Sequence, residues 1–513
     1  MKVPRAALAF LSGLLISTTL ASGQTWQPLT NQPTFNPGVM LLLTDGTVIM
    51  HSEPNCLTCT TTDYSSWYKL TPDSSGSYVN GTWTQIASLP NGYAPLYFGS
   101  AVLPDGRVVV EGGEYNCASG SCNAVWTNQG ALYDPLKNTW TPVPPPSGWK
   151  TIGDAQSVIL PNGIYMQANC CTKQQALFNP ANFTWTAVGQ GKFDINDEEG
   201  WTLLPNGKIL TVDAYVFQYD ATGTNSEIYN PATGKWTSAG STIQQLWDSC
   251  GGADLASYEV GPAVLRPDGT VFATGANTCG SGHTAIYNSH TGTWTAGPDF
   301  PAGYGVADAP AALEPNGKVL VFSSPSRFYP PAGQFFEWNG TTLASTASPL
   351  SAVEDASYVG HLLVLPTGQI MFTDFTTDVE VFTPAGTYDP AWAPAISSAP
   401  SRITRGKTYT VLGTQFNGLS QGAAYGDDFQ DATNYPLVRI VNQATGHVVY
   451  CRTHNPSTMG LATGSKKVST NFDVPVNAET GLSQLFVVAN GIPSSAFGIE
   501  VRQPSRPRLS GAI

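Results

Sequence analysis

Residues 99–111 read Gly-Ser-Ala-Val-Leu-Pro-Asp-Gly-Arg-Val-Val-Val-Glu, two apolar runs joined by the turn Pro104-Asp105-Gly106. Asp-Gly between apolar runs is a strong β-hairpin signal, because a type I′ turn needs positive φ angles that glycine adopts without strain. The pattern recurs along most of the chain. The turns are Thr44-Asp45-Gly46, Pro104-Asp105-Gly106, Pro161-Asn162-Gly163, Pro205-Asn206-Gly207, Pro267-Asp268-Gly269, Pro315-Asn316-Gly317 and Pro366-Thr367-Gly368.

Most copies of this hairpin are followed by a second stretch that closes on a tryptophan. These tryptophans are Trp83, Trp140, Trp185, Trp236 and Trp294, with Trp338 as a variant. Successive turn glycines are 44 to 62 residues apart, near the roughly 40–50 residues of a four-stranded propeller blade. The repeat therefore predicts an all-β protein with a seven-bladed, kelch-like β-propeller at residues 24–388.

The repeat stops after Pro384. Residues 389–400 form a linker rich in Pro, Ala and Ser, and residues 401–503 contain short β-like runs between Gly, Asn and Pro turns. About 100 residues of this kind are typical of an immunoglobulin-like sandwich. We therefore predict an immunoglobulin-like β-sandwich at residues 401–503, followed by a tail at 504–513.

The N-terminus predicts export. Lys2 and Arg5 precede an apolar run that ends at Leu20, and small residues follow it. This is the layout of a secretory signal peptide, which we place at residues 1–23. We therefore expect an extracellular or periplasmic protein, and the short run makes a membrane anchor the weaker alternative.

Charge narrows the class of partner. The 513-residue chain has a net charge of −13, and 12% of its residues are charged. Nucleic acids and anionic membranes bind basic surfaces, so neither is an expected partner. We expect a monomer that acts on a small molecule or a carbohydrate.

Nine cysteines accompany the export signal. Two close pairs, Cys56/Cys59 and Cys117/Cys122, predict short-loop disulfides. A zinc site at Cys56/Cys59 is disfavoured because no second Cys pair or His pair stands nearby. The pairing of the remaining cysteines is left open: Cys170, Cys171, Cys250, Cys279 and Cys451.

A secreted kelch-like propeller followed by a sandwich resembles galactose oxidase and the glyoxal-oxidase-like copper-radical enzymes. In that family two Tyr and one His from innermost strands hold copper at the propeller axis, and a second His arrives on a sandwich loop that threads the channel. A Cys of the first blade is linked to one of the Tyr. The resemblance implies a metal-dependent oxidoreductase that acts on a primary alcohol, a sugar or an aldehyde.

Three residues of this chain match positions of that site, and His361 lies near one of them. Tyr97 stands where the family's Tyr takes the thioether, and Tyr358 has the spacing of the axial Tyr. His361 lies three residues after Tyr358, and His454 resembles the threading-loop His. The resemblance thus implies copper ligation by Tyr97, Tyr358 and His454, with His361 as a further candidate and the two Tyr in catalytic roles.

Two family residues are not matched. Asn36 replaces the Cys that forms the thioether, and Val359 replaces one copper-binding His. Cu(II) favours nitrogen ligands, so the loss of an imidazole weakens a copper site. Cys451 is a candidate to replace the missing sulfur beside Tyr97, and an unpaired buried thiol is the alternative.

The repeat also predicts a ring of acidic residues, independently of the resemblance to galactose oxidase. The position nine residues before each turn glycine, with its neighbours, marks one mouth of the channel. Blades three to seven each place a carboxylate there: Asp154, Asp197, Glu198, Glu199, Glu259, Asp308, Glu354 and Asp355. The structural alternative is that these acids only cap loops.

Converging carboxylates repel one another, so they hold a cation or share protons. Oxygen ligands with one or two imidazoles suit Mn, Fe, Zn or Ca, whereas the family implies copper. The candidate ligands are Tyr97, Tyr358, His454, Asp154, Glu198, Glu259, Asp308 and His361, with Glu198 and Asp308 as catalytic bases.

Two acids and two arginines of the C-terminal region predict a structural role. Asp427, Asp428, Arg439 and Arg452 lie in polar, aromatic stretches, and we expect buried Asp–Arg pairs among them to dock the sandwich under the propeller.

Three functions remain open: an oxidoreductase, a non-redox metalloenzyme of the hydrolase or lyase type, and a carbohydrate-binding or cell-surface module. Propellers host all three.

Overall fold

The computed structural model describes residues 23–53, 64–118, 122–216, 223–249, 257–326, 329–428 and 431–504. The predicted signal peptide, Cys56, Cys59 and Cys250 lie outside these ranges. The described chain is all-β, and its helices are short 3₁₀ turns at Pro301–Gly303, Ser351–Glu354, Ser357–Val359 and Pro390–Trp392. In the described ranges no helix is long and apolar enough to cross a membrane.

Each of the seven hairpin turns lies in its own antiparallel sheet. The strands of each blade are listed from the innermost outward. Blade 1 consists of Pro37–Leu42, Val48–Ser52, Trp67–Thr71 and Thr82–Gln85, and blade 2 consists of Gly99–Val102, Val108–Glu111, Gly130–Asp134 and Thr139–Val143. Blade 3 consists of Ser157–Ile159, Tyr165–Ala168, Gln175–Asn179 and Thr184–Val188. Blade 4 consists of Thr202–Leu203, Ile209–Val212, Ser226–Asn230 and Lys235–Ser238. Blade 5 consists of Ala263–Leu265, Thr270–Thr274, Thr284–Asn288 and Thr293–Ala296. Blade 6 consists of Ala311–Leu313, Val319–Pro325, Gln334–Trp338 and Leu343–Ser345. Tyr304–Gly305 adds a short strand beside Val319–Pro325.

Blade 7 closes the ring. Its inner strands are His361–Val364, Ile370–Thr373 and Glu380–Thr383, and its outermost strand is the N-terminal Thr25–Pro28. The inner strand of blade 7 also contacts the inner strand of blade 1. Joining the N-terminal strand to the last blade leaves few free sheet edges, which stabilises the ring. The prediction of a seven-bladed propeller is confirmed.

The closing tryptophan of the repeat has a packing role. In blades 2 to 5 it lies on the outermost strand, directly opposite an aromatic residue of the third strand. The pairs are Tyr133/Trp140, Phe178/Trp185, Tyr229/Trp236 and Tyr287/Trp294, with ring centroids 5.0, 4.8, 5.3 and 5.1 Å apart. Cross-strand aromatic pairs of this kind stabilise a sheet. The sequence repeat therefore corresponds to an aromatic pair near the rim of these four blades.

The C-terminal strands form one continuous ladder. In chain order they are Ala395–Ser398, Arg402–Thr404, Thr408–Thr414, Leu437–Asn442, Val448–His454, Val468–Asp473, Gly481–Ala489, Ile492–Pro493 and Phe497–Arg502. Strand Val448–His454 pairs with Leu437–Asn442 over its first half and with Val468–Asp473 over its second half. It therefore joins two halves that share one apolar core. An immunoglobulin-like classification of these strands stays a prediction.

Cys451 lies inside this C-terminal core. It is fully buried, it pairs across the ladder with Val438, and it packs in the same apolar cluster as Phe472. Its thiol is free in the described part of the chain. The idea that Cys451 replaces the missing sulfur beside Tyr97 is therefore wrong, because its side chain belongs to a different core.

A finger from the C-terminal region, described at residues 420–428 and 431–435, enters the propeller channel. On the way in, Ala423–Ala424 pairs with the inner strand of blade 6, and the Gln421 side chain accepts a hydrogen bond from Leu203 N at 2.7 Å in blade 4. On the way out, Tyr435 donates its hydroxyl proton to Leu42 O of blade 1. The finger thus contacts both sides of the channel, and its tip reaches the far mouth.

One buried acid of blade 6 makes the stability of the fold depend on pH. Burial raises the pKa of Glu314 to about 8 from 4.5, and its hydrogen bond with Glu337 adds to the shift. The Glu314 carboxyl group loses its proton near pH 4.5 in the unfolded chain and near pH 8 in the folded chain. Between these pH values the folded state must keep the proton while the unfolded state releases it, so the folded protein becomes less stable as pH rises from 4.5 to 8.

We predict that Glu314→Gln stabilises the protein by about 2 kcal/mol at pH 8 and has little effect at pH 4. In the wild type, Asn316 Nδ2 donates a hydrogen bond to Glu314 Oε2 at 2.7 Å. The amide oxygen of the glutamine variant keeps an acceptor for this hydrogen bond. Urea unfolding of both proteins at the two pH values measures the difference. An equal effect at pH 4 and pH 8 would contradict the assignment.

Candidate metal centre at the propeller axis

The position nine residues before the turn glycine has unusual backbone geometry in three blades. Tyr97, Glu198 and Asp308 all have left-handed φ angles, of 53°, 57° and 44°. Non-glycine residues in this region cost about 1–3 kcal/mol each, and such strain is concentrated at functional sites. The same kink therefore recurs just before the inner strands of blades 2, 4 and 6, at one mouth of the channel.

Carboxylates meet at this mouth in two overlapping groups. Oxygens of Asp154, Glu198 and Asp427 lie within 4.8 Å of one another, and so do oxygens of Glu198, Glu259 and Asp308. Glu198 belongs to both groups. The structure therefore brings together the four predicted acids of blades 3 to 6 and adds a fifth from the finger.

The surroundings disfavour charge on these acids. Burial raises the pKa values of Asp154, Glu198, Glu259 and Asp308, and the neighbouring carboxylates contribute. Asp154 is only 8% exposed, and its Oδ1 has no hydrogen-bond partner among the described residues. A buried oxygen of this kind needs a proton or a cation.

Glycines let the finger tip reach the acids. A Cβ atom on Gly426 would lie 2.6 Å from Asp308 Oδ1, and one on Gly200 would lie 2.3 Å from Gly426 O. Asp427 and Asp428 follow directly and are 4% and 1% exposed. The expectation that these two acids pair with Arg439 or Arg452 is wrong, because Arg452 pairs with Asp473, Arg439 lies over the Phe486 ring, and the finger carries the two acids to the other carboxylates.

Three tyrosines line the same mouth. Burial raises the pKa of Tyr97, and its neighbours Tyr358, Asp308, Glu114 and Asp428 raise it further. The Tyr425 hydroxyl donates a hydrogen bond to the backbone O of Tyr358 at 2.6 Å. Tyr97 and Tyr358 are thus brought together next to the acids.

His361 lies behind this layer. Its ring is fully buried, stacks on Tyr425 with centroids 5.6 Å apart, and lies 5.4 Å from the Phe375 ring. Burial lowers its pKa to about 3, so the imidazole is neutral at pH 7. It is not in any of the three potential cation-binding groups found among the described residues.

His454 is not at the axis. Its Nε2 lies 3.3 Å from Asp473 Oδ1, and the next residue, Asn455, donates its N–H to Pro104 O at 2.7 Å. Pro104 is at the hairpin end of the blade 2 inner strand, roughly 20 Å from Tyr97 at the usual rise of a β-strand. The prediction that His454 threads the channel is wrong, since residues 420–435 do so instead.

The C-terminal region docks onto the propeller through Arg452 at that hairpin end. Its guanidinium pairs with Asp473 at 3.1 Å and donates to Asp105 O in the blade 2 turn. Arg439 lies over the Phe486 ring, 4.8 Å from its centroid. The expected docking role holds for Arg452, with Asp473 rather than Asp427 or Asp428 as its partner.

The copper-radical chemistry that the resemblance implies does not fit these residues. Val359, at the position of the missing His, is 1% exposed and packs in an apolar cluster with Leu96 and Phe375 that Tyr97 also contacts. Asn36, at the position of the missing Cys, offers no sulfur, and its backbone O accepts a hydrogen bond from Glu53 N at 2.7 Å. The mouth offers carboxylates and phenols, which favour harder cations than copper.

The acids that flank the ring have other partners. Glu199 faces Lys192, whose Nζ lies 3.0 Å from Glu199, 3.3 Å from Asp213 and 2.6 Å from Glu227. All four side chains are almost completely buried. This buried cluster anchors the residue that follows Glu198.

In blade 7 the carboxyl groups of Asp355 and Asp374 interact with each other, and neither residue belongs to a potential cation-binding group among the described residues. Blade 7 therefore adds no acid to the two overlapping groups. Its neighbour Glu354 is exposed at the end of a 3₁₀ turn.

Two acids of the mouth were missed from the sequence as possible site residues. Asp427 stands in a Tyr-Gly-Asp-Asp stretch that predicted docking, and only the path of the finger brings it to the axis. Glu114 is outside the repeat pattern, and burial together with Asp427 raises its pKa to about 7. It follows Gly112 and Gly113, whose φ angles are 80° and 128°, and this irregular Gly-Gly turn was the available signal.

A third group combines sulfur and oxygen. Cys170, Cys171 and Asp197 place their ligand atoms within 4.8 Å of one another beside the mouth. Cys117 and Cys122 form a disulfide next to a small sheet of Pro95–Leu96, Tyr115–Asn116 and Asn123–Ala124. Cys279 is also disulfide-bonded.

No protein-family model matches the chain. The curated relative is a kelch-like protein, terF, of Aspergillus terreus, which is 27% identical over 132 residues. The matched segment is 25% of this chain and 26% of the relative, so the match spans about a quarter of the relative's length.

The likeness to one solved structure extends over almost the whole chain. A fungal alcohol oxidase of the AA5 family, in complex with copper, is 15% identical, covers 94% of this chain and 100% of its own, and has a TM-score of 0.51. A streptogramin B lyase is 10% identical, covers 71% of this chain and 98% of its own, and has a TM-score of 0.45. The chain therefore shares the fold of the AA5 alcohol oxidase, as its resemblance to the galactose oxidase and glyoxal-oxidase-like enzymes predicts.

Proposed function

We propose that the protein is a metalloenzyme whose channel mouth holds two hard divalent cations, such as Mn²⁺ or Ca²⁺, bridged by Glu198. The position of Glu198 in both carboxylate groups carries this proposal. Opposite oxygens around one calcium ion lie about 4.8 Å apart, twice a bond of about 2.4 Å. Each group therefore has the dimensions of a single cation site.

Two cations that share a carboxylate are a recurring catalytic unit. They lie roughly 3.5–4 Å apart and stabilise the negative charge that develops on a reacting oxygen. Asp154 and Asp427 would hold one cation on one side of Glu198, and Glu259 and Asp308 would hold the other.

The remaining groups of the mouth would orient substrate and move protons. Tyr97 is protonated at neutral pH because its pKa is raised, and its hydroxyl can donate to a substrate oxygen. Glu114 lies beside Asp427 without belonging to either group, and we assign it as the proton acceptor. A hydrolase or lyase acting on a hydroxyl-rich substrate such as a carbohydrate fits this arrangement.

Oxidation of a primary alcohol or aldehyde is the second candidate. Two observations favour it: the fold of an alcohol oxidase and the meeting of Tyr97 with Tyr358 at the axis. Such a reaction would need a redox metal in the carboxylate site, because the thioether and the copper imidazole are not matched. Action outside the cell follows if residues 1–23 are a signal peptide.

Metal analysis of the purified full-length protein tests the first proposal. We expect up to two equivalents of a hard divalent cation per chain, removed by a chelator and restored by Mn²⁺ or Ca²⁺. Release of a labelled product from a panel of glycosides and uronides, with no peroxide formed from primary alcohols, would support a hydrolase or lyase.

Other results would contradict it. Tightly held copper with peroxide release would favour the oxidase, and glycan retention without any metal would favour a binding module. Asp308→Asn that left metal content unchanged would show that the carboxylate groups do not hold the cations.

A further inference from the structure

Two adjacent thiols lie beside the carboxylate mouth. Cys170 is buried, Cys171 is exposed, and both are free cysteines in the described chain. The Cys170 Sγ lies 3.6 Å from Asp197 Oδ1, and ligand atoms of all three residues lie within 4.8 Å of one another. We infer that Cys170, Cys171 and Asp197 form a binding site for one thiophilic divalent cation, with Zn²⁺ as the best fit.

The observed separation suits tetrahedral zinc. Zinc binds sulfur at about 2.3 Å and carboxylate oxygen at about 2.0–2.2 Å, so the edge between these two ligands spans about 3.6 Å. The distance from Cys170 Sγ to Asp197 Oδ1 equals this edge. The two donors already have the spacing of a bound ion.

The backbone brings adjacent side chains to the same ligand. In an extended chain neighbouring side chains point to opposite sides. Cys171 instead has a left-handed φ of 64°, which breaks the extended path and lets both sulfurs meet Asp197.

The segment is also held against the next blade. Cys171 N donates to Asn196 O at 2.9 Å, and Thr172 pairs with Asn196 in an isolated β-bridge. Cys170 N donates to Ile152 O at 2.8 Å. Asp197 and the two thiols are therefore fixed relative to each other before any ion binds.

This site is distinct from the oxygen-only centre. Two sulfurs select borderline and soft ions, whereas the carboxylate groups select hard ones. The exposed Cys171 gives the ion access from solvent and leaves a fourth position for water. Asp154 lies between the two sites, since its carboxyl group interacts with Cys170 and also belongs to the first carboxylate group.

Cobalt titration of the reduced full-length protein tests this site. We expect one equivalent of Co²⁺ to produce a sulfur-to-cobalt charge-transfer band in the near ultraviolet together with the strong visible bands of a tetrahedral ion, and Zn²⁺ to displace it. Carboxylate-bound Co²⁺ gives no such charge-transfer band, so failure of the oxygen-only centre would not affect this result.

Cys171→Ser is the main variant, because the side chain is exposed and its loss leaves the fold intact. We expect it to reduce the charge-transfer band to that of the single remaining sulfur of Cys170, Asp197→Asn to weaken Co²⁺ binding at least about tenfold, and the matched control Cys451→Ser to leave the band unchanged. A band of undiminished intensity in Cys171→Ser, or its absence in the reduced wild type, would overturn the inference. So would peptide mapping that finds Cys170 and Cys171 joined as a disulfide in the protein as isolated.

Discussion

Lys192→Met is expected to destabilise the protein by about 3–5 kcal/mol at pH 7, the usual cost of removing one partner of a buried ion pair. The ammonium lies within 3.3 Å of Glu199, Asp213 and Glu227, and all these side chains are almost completely buried. Burial alone would lower the pKa of Lys192, but its acidic neighbours outweigh this and raise it well above its ordinary value. Lys192 is therefore a permanent cation, and its removal leaves repelling carboxylates in the blade.

The pH dependence of this variant separates lost charge from lost volume. Burial raises the pKa of Asp213 to about 7 even with Lys192 present, so without the ammonium the acids take up protons as pH falls. We expect the destabilisation by Lys192→Met to shrink from pH 7 to pH 4, and Asp213→Asn to restore part of the stability at pH 7. Urea unfolding measures both effects.

Lys137→Met is the matched control. Lys137 pairs with Asp134 at 2.8 Å, but its side chain is 75% exposed, and exposed pairs contribute only about 0–1 kcal/mol. A comparable loss of stability in Lys137→Met, or a pH-independent loss in Lys192→Met, would contradict a specific electrostatic role for the buried cluster.

Glu198→Gln is expected to remove both hard cations. Glu198 belongs to both carboxylate groups, so its loss takes a charged ligand from each ion at once. Partners that only orient a ligand contribute 10–100-fold to metal affinity, and a bridging ligand should contribute at least about 100-fold. Calorimetric titration with Mn²⁺ or Ca²⁺, together with metal analysis, provides the measurement.

The number of bound ions discriminates among variants. We expect two per wild-type chain, one in Asp154→Asn, one in Glu259→Gln and none in Glu198→Gln. Glu354→Gln is the matched control, because Glu354 is an exposed acid of the ring that joins neither group. Equal binding by wild type and Glu198→Gln would refute the bridged pair.

The number of blades was predictable from the sequence because the same short-range sequence pattern recurs in the blades. A turn that ends in glycine fixes each inner hairpin, and in blades 2 to 5 the aromatic residue opposite the closing tryptophan, as in Tyr229/Trp236, stabilises the outer strands. The acidic ring was partly predictable for the same reason. Equivalent positions in a repeat reach equivalent places, so Asp154, Glu198, Glu259 and Asp308 meet as the count of nine residues predicts.

The contribution from the C-terminal region was not predictable in this way. That region does not repeat, and the family resemblance led to His454, which lies at the hairpin end of blade 2 with Asp473 as its partner. The finger at residues 420–435 instead brings Asp427 to the mouth. Its path depends on long-range contacts with the inner strands of several blades, such as those of Gln421 and Tyr435.

The all-β repeat, the number of blades and the acids at one mouth of the channel can be read from the sequence, because turn chemistry and a fixed offset act within each blade. The tertiary contacts set which carboxylates lie close together, that Glu199 faces Lys192 rather than the axis, and that the finger brings carboxylates in place of an imidazole. Those outcomes depend on the direction in which each side chain points from a kinked backbone. They also depend on which distant segment of the chain fills the channel. Neither is encoded within a single repeat.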